Sequence, residues 1–599
     1  HTTYDHCTRL PLRAPRRWNC MYRFGGASEP EPGDGAKKES TRPANTSEDR
    51  MASQPLMGGS RGDGRPVADD DGDEPVEDHD YLSEYIETIM PGTERYMNET
   101  SEKITSETGK CLSKLDEICQ PLGFWNPAPY LVSMAVRNNS GRAGGSFEEL
   151  DGVRALALMW VCSFHIFSCS VLGTWKDFVG EMPSFILAVM EQGQCGVTMF
   201  FVLSGFLISH IFQSIRKKED RSLLGCWALF MYRRFFRIWP ALMSSVVVVT
   251  MCASVWADTG VFSACGTGQF WDVISRNAVF MWNLKAWGEE PGCALSPEVT
   301  WSVSTEFQLY VFTPLFVEAY IRNKRMGWMV VFAVIWLSLY CRYYMIYTDD
   351  LSNEKTAFTT HGYTTDMYYQ QNLLYFSSYT RANEYMVGIA AHYLWGELKQ
   401  YRECNGEEGK FAKTWQTYLF SMLVSWPGQL VVYGYWFYTQ AWVMWFDYFW
   451  NGSYTRAMQF SYLMYNWFLM SGLVGYVIIA TVAMPKSKVT FINKAVADFL
   501  ASPVLYPIAA VSYTGYLLQY IAWWQFPMPT VTNFMPAFAG YETILFIYSL
   551  CIGLVLSLAI ERPFMKVGRW LEPSVCGKHL KAKPGFPKGW NFGPKKKGA

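Results

Sequence analysis

None of the 15 cysteines stands in a Cys-x-x-Cys pair, so neither a zinc ribbon nor a thioredoxin-like motif is indicated and no metal site is expected. Residues 1–145 contain no apolar run resembling the core of a signal peptide. An excess of either charge is also missing, with 52 basic and 53 acidic residues giving a net charge of -1. The charged ends lack the basic and aromatic alternation of a nucleic-acid surface, which excludes nucleic acid as the expected partner. The near-neutral sum hides a carboxylate-rich stretch from Asp69 to Glu87 and a Lys-rich end from Lys578 to Lys597.

Apolar and aromatic residues are abundant. Half of the 599 residues are hydrophobic and 17% are aromatic, the composition of an all-α, multi-pass membrane protein. Residues 1–149 form a Gly-, Pro-, Ser- and charge-rich region predicted to be mostly disordered, with a short helical piece within Tyr81 to Pro121 and Met51 as an alternative start. Residues 150–565 carry about ten predicted spans, centred on 150–172, 195–215, 235–256, 300–321, 327–347, 382–396, 415–437, 457–484, 503–526 and 541–560. The sixth is short enough to be tilted, broken or re-entrant. Residues 566–599 form a basic tail.

Positive charge sets the orientation. Arg216, Lys217, Lys218 and Arg221 follow the second span, Arg322, Lys324 and Arg325 the fourth, and Lys486, Lys488 and Lys494 the eighth. These loops share one side, as does the C-terminal tail, so both termini are predicted to be cytosolic. The sequon at Asn451 then faces the lumen, while those at Asn45, Asn98 and Asn138 stay unused. Cys265 and Cys293 share one long lumenal loop and are candidates for a disulfide. Lys596 and Lys597 fit either a dilysine address to the endoplasmic reticulum or a polybasic tail near anionic lipid.

Within the first span, Arg154 and His165 lie eleven residues apart. That is close to three helical turns, so both project from one face with the imidazole roughly 16 Å deeper along the axis. An imidazole near the middle of a hydrocarbon core roughly 30 Å thick can take and return a proton, as activation of a hydroxyl requires. The alternative is that Arg154 snorkels and His165 bonds a neighbouring helix.

Four further segments accompany that pair: FFVLSGFLI from Phe200 to Ile208, MYRRFFRIWP from Met231 to Pro240, WSVSTEFQLY from Trp301 to Tyr310, and VSYTGYLLQY from Val511 to Tyr520. Together with LDGVRALALMWVCSFH from Leu150 to His165, they resemble the type 3 membrane acyltransferases, the family of bacterial sugar O-acetyltransferases and the animal nose-resistant-to-fluoxetine proteins. The resemblance covers residues 150–565, with the motifs in the family's order. It implies His165 as general base, Arg154 as an acyl-donor contact, and Glu306 as the acidic residue of the WSxxxE motif, placed to orient the imidazole. The topology puts Glu306 about 9 Å and His165 about 14 Å below the same surface. Pairing of Glu306 with an arginine such as Arg381 is the competing reading.

The arginines Arg233, Arg234 and Arg237 match the family's basic entry to the third span and stand on the cytosolic face, where guanidinium groups can hold the phosphates of acyl-CoA or simply anchor the helix. Ser204, Ser512 and Tyr513 are further substrate-binding candidates, with close packing beside Gly205 and interhelical bonding as their alternatives. Arg381 and Glu384 resemble a polar start to a later span, with salt-bridged packing as the default. Gln519 departs from the pattern, because many relatives carry His there. Cys162 is expected to be inert packing.

The implied function is membrane O-acylation: acyl-CoA serves as cytosolic co-substrate, no cofactor is bound, and a glycan or lipid hydroxyl on the lumenal side or in the bilayer is the acceptor. Direct transfer is preferred to an acyl-enzyme. The alternative is a lipid or small-molecule transporter whose passage is lined by the same polar residues. The Cys-rich lumenal domain of the animal relatives is not expected.

Overall fold

The computed structural model describes residues 125, 127, 130–131, 147–166, 186, 189–190, 192–219, 221–256, 267–284, 299–348, 374–403, 425–444, 456–482, 491–525 and 534–576. Residues 1–124 and 577–599 lie outside this set, as do Asn451, Cys265 and Cys293, so the expectations attached to them fall outside the described residues.

Every regular element among the described residues is helical. In chain order they are α1 (Glu148–Ile166), α2 (Cys195–Lys218), α3 (Leu223–Trp256), α4 (Thr267–Ala278), α5 (Thr300–Arg322), α6 (Lys324–Thr348), α7 (Ser378–Glu403), α8 (Trp426–Met444), α9 (Arg456–Val482), α10 (Phe491–Leu500), α11 (Leu505–Ala510), α12 (Ser512–Gln525), α13 (Phe534–Leu556) and α14 (Arg562–Cys576). A 3-10 turn, Trp282–Leu284, precedes α5, and a π-helical turn, Ser557–Glu561, joins α13 to α14.

Each of the ten predicted segments contains helix. By length and apolarity, five helical stretches suffice to cross a bilayer: Cys195–Lys218, Leu223–Met251, Lys324–Thr348, Phe460–Val482 and Pro536–Cys576. The predicted count of ten goes beyond these five. Helices α1, α5 and α7 also carry charged residues, Asp151, Glu318, Arg381 and Glu384 among them, and those side chains are buried against protein. The sixth segment, expected to be short or broken, is the continuous 26-residue α7. The ninth is interrupted instead, at Val511 between α11 and α12, inside the VSYTGYLLQY motif.

Contacts organise the bundle around α2, which packs on α1, α5, α7 and α9. Its crossing with α7 has backbones almost touching. A Cβ on Gly205 would stand 2.1 Å from the Tyr385 carbonyl oxygen, and one on Gly388 would stand 2.1 Å from that of Val202. Close approach of this kind needs glycine on both helices. Gly553 likewise seats α13 against Gly515 of α12. Aromatic and aliphatic side chains from α2, α3, α5 and α7, among them Phe201, Phe212, Leu242 and Tyr385, fill the interior.

The segment before α1, within the region read as disordered, makes defined contacts at two points. Trp125 Nε1 donates to the Ala559 carbonyl at 3.0 Å and Tyr130 donates to that of Ala510 at 2.9 Å, with the Arg562 guanidinium 3.8 Å from the Tyr130 ring centroid.

Candidate active site

The fold places His165 in the last turn of α1 against α12. Its Nδ1 lies 3.1 Å from Gln519 Oε1, and Gln519 Nε2 in turn donates to the Tyr516 carbonyl at 2.9 Å. Because the amide nitrogen is committed to that carbonyl, Oε1 faces the ring as an acceptor. Nδ1 of the neutral imidazole then carries the hydrogen, and Nε2 keeps its lone pair. Gln519 is fully buried. One turn earlier, the Tyr516 hydroxyl donates to the Val299 carbonyl at 3.1 Å and lies 2.8 Å from Ser302 Oγ, tying α12 to the start of α5. The partner of His165 Nδ1 is therefore an amide rather than the carboxylate of Glu306.

Glu306 belongs to a neighbouring group. Its Oε1 accepts from both the Ser204 hydroxyl of α2 and the Tyr310 hydroxyl one turn along α5. Arg234 and Arg237 of α3 act electrostatically on the same carboxylate. Two guanidinium groups against one carboxylate make this part of the interior net positive, and Arg234 Nε is buried without a hydrogen-bond partner. Tyr513 of α12 lies within electrostatic reach of Glu306 and Arg237 while its hydroxyl donates to the Ile238 carbonyl at 2.9 Å. One short helix thus borders both groups, the imidazole through Gln519 and the carboxylate through Tyr513.

Other expectations resolve differently. Arg233 forms a two-point ion pair with Glu572 of α14, 2.9 Å from Nε and 2.6 Å from Nη2, with Glu219 3.8 Å away. Its guanidinium clamps the terminal helix, unlike those of Arg234 and Arg237. Arg154 contacts Asp151 one turn back at 3.4 Å, and the helix keeps it roughly 16 Å from His165. The two do not converge on one atom. Ser512 donates to the Ala509 carbonyl at the break before α12, and Ser204 uses its hydroxyl on Glu306 while the adjacent Gly205 makes the close helix contact. Arg381 pairs with Glu384, three residues on, rather than with Glu306. Cys162 is buried, as packing requires.

The sequence reading missed a polar network around Gln308 and Asn283. Gln308 Nε2 donates to the Phe280 carbonyl at 2.7 Å and to Asn283 Oδ1 at 2.8 Å, and Asn283 Nδ2 donates to Thr305 Oγ1 and Ser378 Oγ at 3.1 and 2.9 Å. Thr305 and Gln308 flank Glu306 in the WSVSTEFQLY motif, which was the available signal. Among the described residues no group of three or more His, Cys, Asp or Glu side chains is placed to hold a metal ion.

Chemically, these groups combine a half-buried imidazole hydrogen-bonded through Nδ1, a carboxylate holding two hydroxyls and two cations acting on that carboxylate. Residues 147–403 match the type 3 family described as an acyltransferase domain. Three curated proteins are similar in sequence. The "Regulator of hypoxia-inducible factor 1" of Caenorhabditis elegans is 26% identical over 208 residues, 33% of this chain and 39% of that protein. "Peptidoglycan O-acetyltransferase OatA" of Listeria monocytogenes is 25% identical over 248 residues, 41% and 34% of the two chains. "Acyltransferase MdmB" of Streptomyces mycarofaciens is 24% identical over 159 residues, 26% and 37%. The alignments thus span between about a third and two fifths of these relatives. No solved structure matches.

Proposed function

Since residues 147–403 carry a domain of the type 3 membrane acyltransferase family, we propose that the protein is a membrane O-acyltransferase that moves an acyl group from cytosolic acyl-CoA to the hydroxyl of a lumenal or membrane-borne glycan or lipid. The observation that carries this reading is the His165–Gln519–Tyr516 chain of hydrogen bonds, which orients the imidazole of a residue type able to serve as a base. Two relatives, one named as an O-acetyltransferase and one as an acyltransferase, support the reaction class.

In this mechanism His165 Nε2 takes the proton of the acceptor hydroxyl as its oxygen attacks the thioester carbonyl. The tetrahedral intermediate collapses with cleavage of the carbon–sulfur bond, and the imidazolium returns the proton to the departing thiolate. Arg234 and Arg237 supply cationic contacts for donor phosphates, Glu306 holds Ser204 and Tyr310 in register beside them, and Arg233 serves through the α14 clamp. Arg154, at the far end of α1, belongs to the approach of the donor. Placement in the endoplasmic reticulum or early secretory pathway, with both termini cytosolic, completes the proposal.

A split of kinetic constants tests it. His165→Ala should lower kcat by roughly 10²- to 10⁴-fold, the contribution of a positioned base, in protein that remains folded and membrane-inserted. Arg234→Gln and Arg237→Gln should chiefly raise KM for acyl-CoA. Unchanged turnover in the His165 variant would remove the base from the mechanism, and a protein that moves its ligand without ever releasing CoA would be a transporter.

A further inference from the structure

A second charged group lies apart from His165, in the interior bounded by α2, α5, α6, α7 and α9. Arg342 of α6 and Arg381 of α7 have no solvent exposure, and neither has Glu384, the carboxylate that Arg381 pairs with. Arg342 donates through Nε to the Leu463 carbonyl at 2.7 Å, which leaves its Nη1 and Nη2 without partners; Nε and Nη2 of Arg381 and Oε2 of Glu384 are also unpartnered. Both guanidinium groups press on one indole, 3.8 and 4.6 Å from the Trp467 ring centroid, and Arg381 stands 4.4 Å from that of Tyr375. Glu384 feels both arginines.

Arginine does not shed its proton in a protein, so two guanidinium groups and at most one carboxylate leave a net positive charge with no access to water. The aromatic faces attract the cations but accept none of the in-plane N–H groups and cancel no charge. A single negative charge with lone pairs open to several donors meets both needs at once. We infer that Arg342 and Arg381 form a buried site for a monovalent anion, either free chloride or a carboxylate group. Its wall includes Phe201 and Trp301, whose ring centroids lie 5.6 and 5.7 Å from the Arg381 guanidinium. These residues sit close in sequence to Ser204 and Glu306 on α2 and α5, so a bound anion braces the two helices that carry the Glu306 group.

The test uses the full-length protein in detergent, exchanged into sodium methanesulfonate and titrated at constant ionic strength with chloride or acetate while thermal unfolding is followed. A saturable rise in Tm with chloride alone identifies a halide site, and a larger response to acetate identifies a carboxylate site. Glu384→Gln removes the competing negative charge and should move the midpoint to a several-fold lower anion concentration, whereas Arg342→Gln should abolish the response. Should Arg342→Gln fail to fold, the opposite-signed effect of Glu384→Gln still decides. Identical unfolding in all three salts, for wild type and Glu384→Gln alike, would overturn the inference.

Discussion

Gln519 sits 354 positions from His165 in the chain and 3.1 Å from it in space. The motif around His165 was legible as a possible proton carrier, but its partner was not, because nothing in the pattern of either helix says which ring nitrogen another helix will reach. The departure at position 519 read as the loss of a second histidine; in the structure it is an amide whose far end is fixed by Tyr516, a device for setting a tautomer. Gln519→Leu removes the acceptor while keeping the bulk. We expect kcat to fall by at least ~10-fold, short of the ~10²–10⁴ expected for losing the proposed base, with KM for acyl-CoA nearly unchanged. An unaltered kcat would make Gln519 an ordinary packing residue. The same limit applies to Arg233. Three arginines in MYRRFFRIWP looked equivalent, yet helical rotation turns Arg233 toward Glu572 and the other two toward Glu306.

At the level of helices, hydropathy located the segments well because a run of apolar residues reports burial in lipid or protein directly. It was weakest where charges are buried. Arg381 and Glu384 made α7 look short, although the pair is satisfied in part within the helix and packed by aromatics, so the helix runs through. The break at Val511 went unseen in turn, since Ser512 and Thr514 bond to carbonyls of their own chain and the apolar run continues across them. The crossing of α2 and α7 is the joint on which these elements depend. Gly205→Ala or Gly388→Ala forces backbones apart and should destabilise by about 1–3 kcal/mol, seen as a lower Tm in detergent. Gly434→Ala, where a Cβ meets nothing within 4 Å, should have no such effect and can stabilise α8 slightly. Equal behaviour of the three variants would remove the close contact from the account.

For the whole molecule, the long apolar runs pointed to the helical class, and every regular element among the described residues is helical. Orientation rests on the Lys- and Arg-rich connections after α2 and α5. It predicts a glycan on Asn451, so that Asn451→Gln should remove a glycosidase-sensitive shift in electrophoretic mobility; a fully unglycosylated protein from cells of the secretory pathway would argue for the reverse orientation. That proposed sidedness and the proposed base, His165, meet in one experiment, transfer of a labelled acyl group in sealed vesicles with membrane-impermeant acyl-CoA supplied to a single face. Acyl transfer and CoA release are expected when the donor is on the face bearing Lys217 and Lys324, and neither should occur with His165→Ala. Transfer from the opposite face, or undiminished transfer by the His165 variant, would contradict the account.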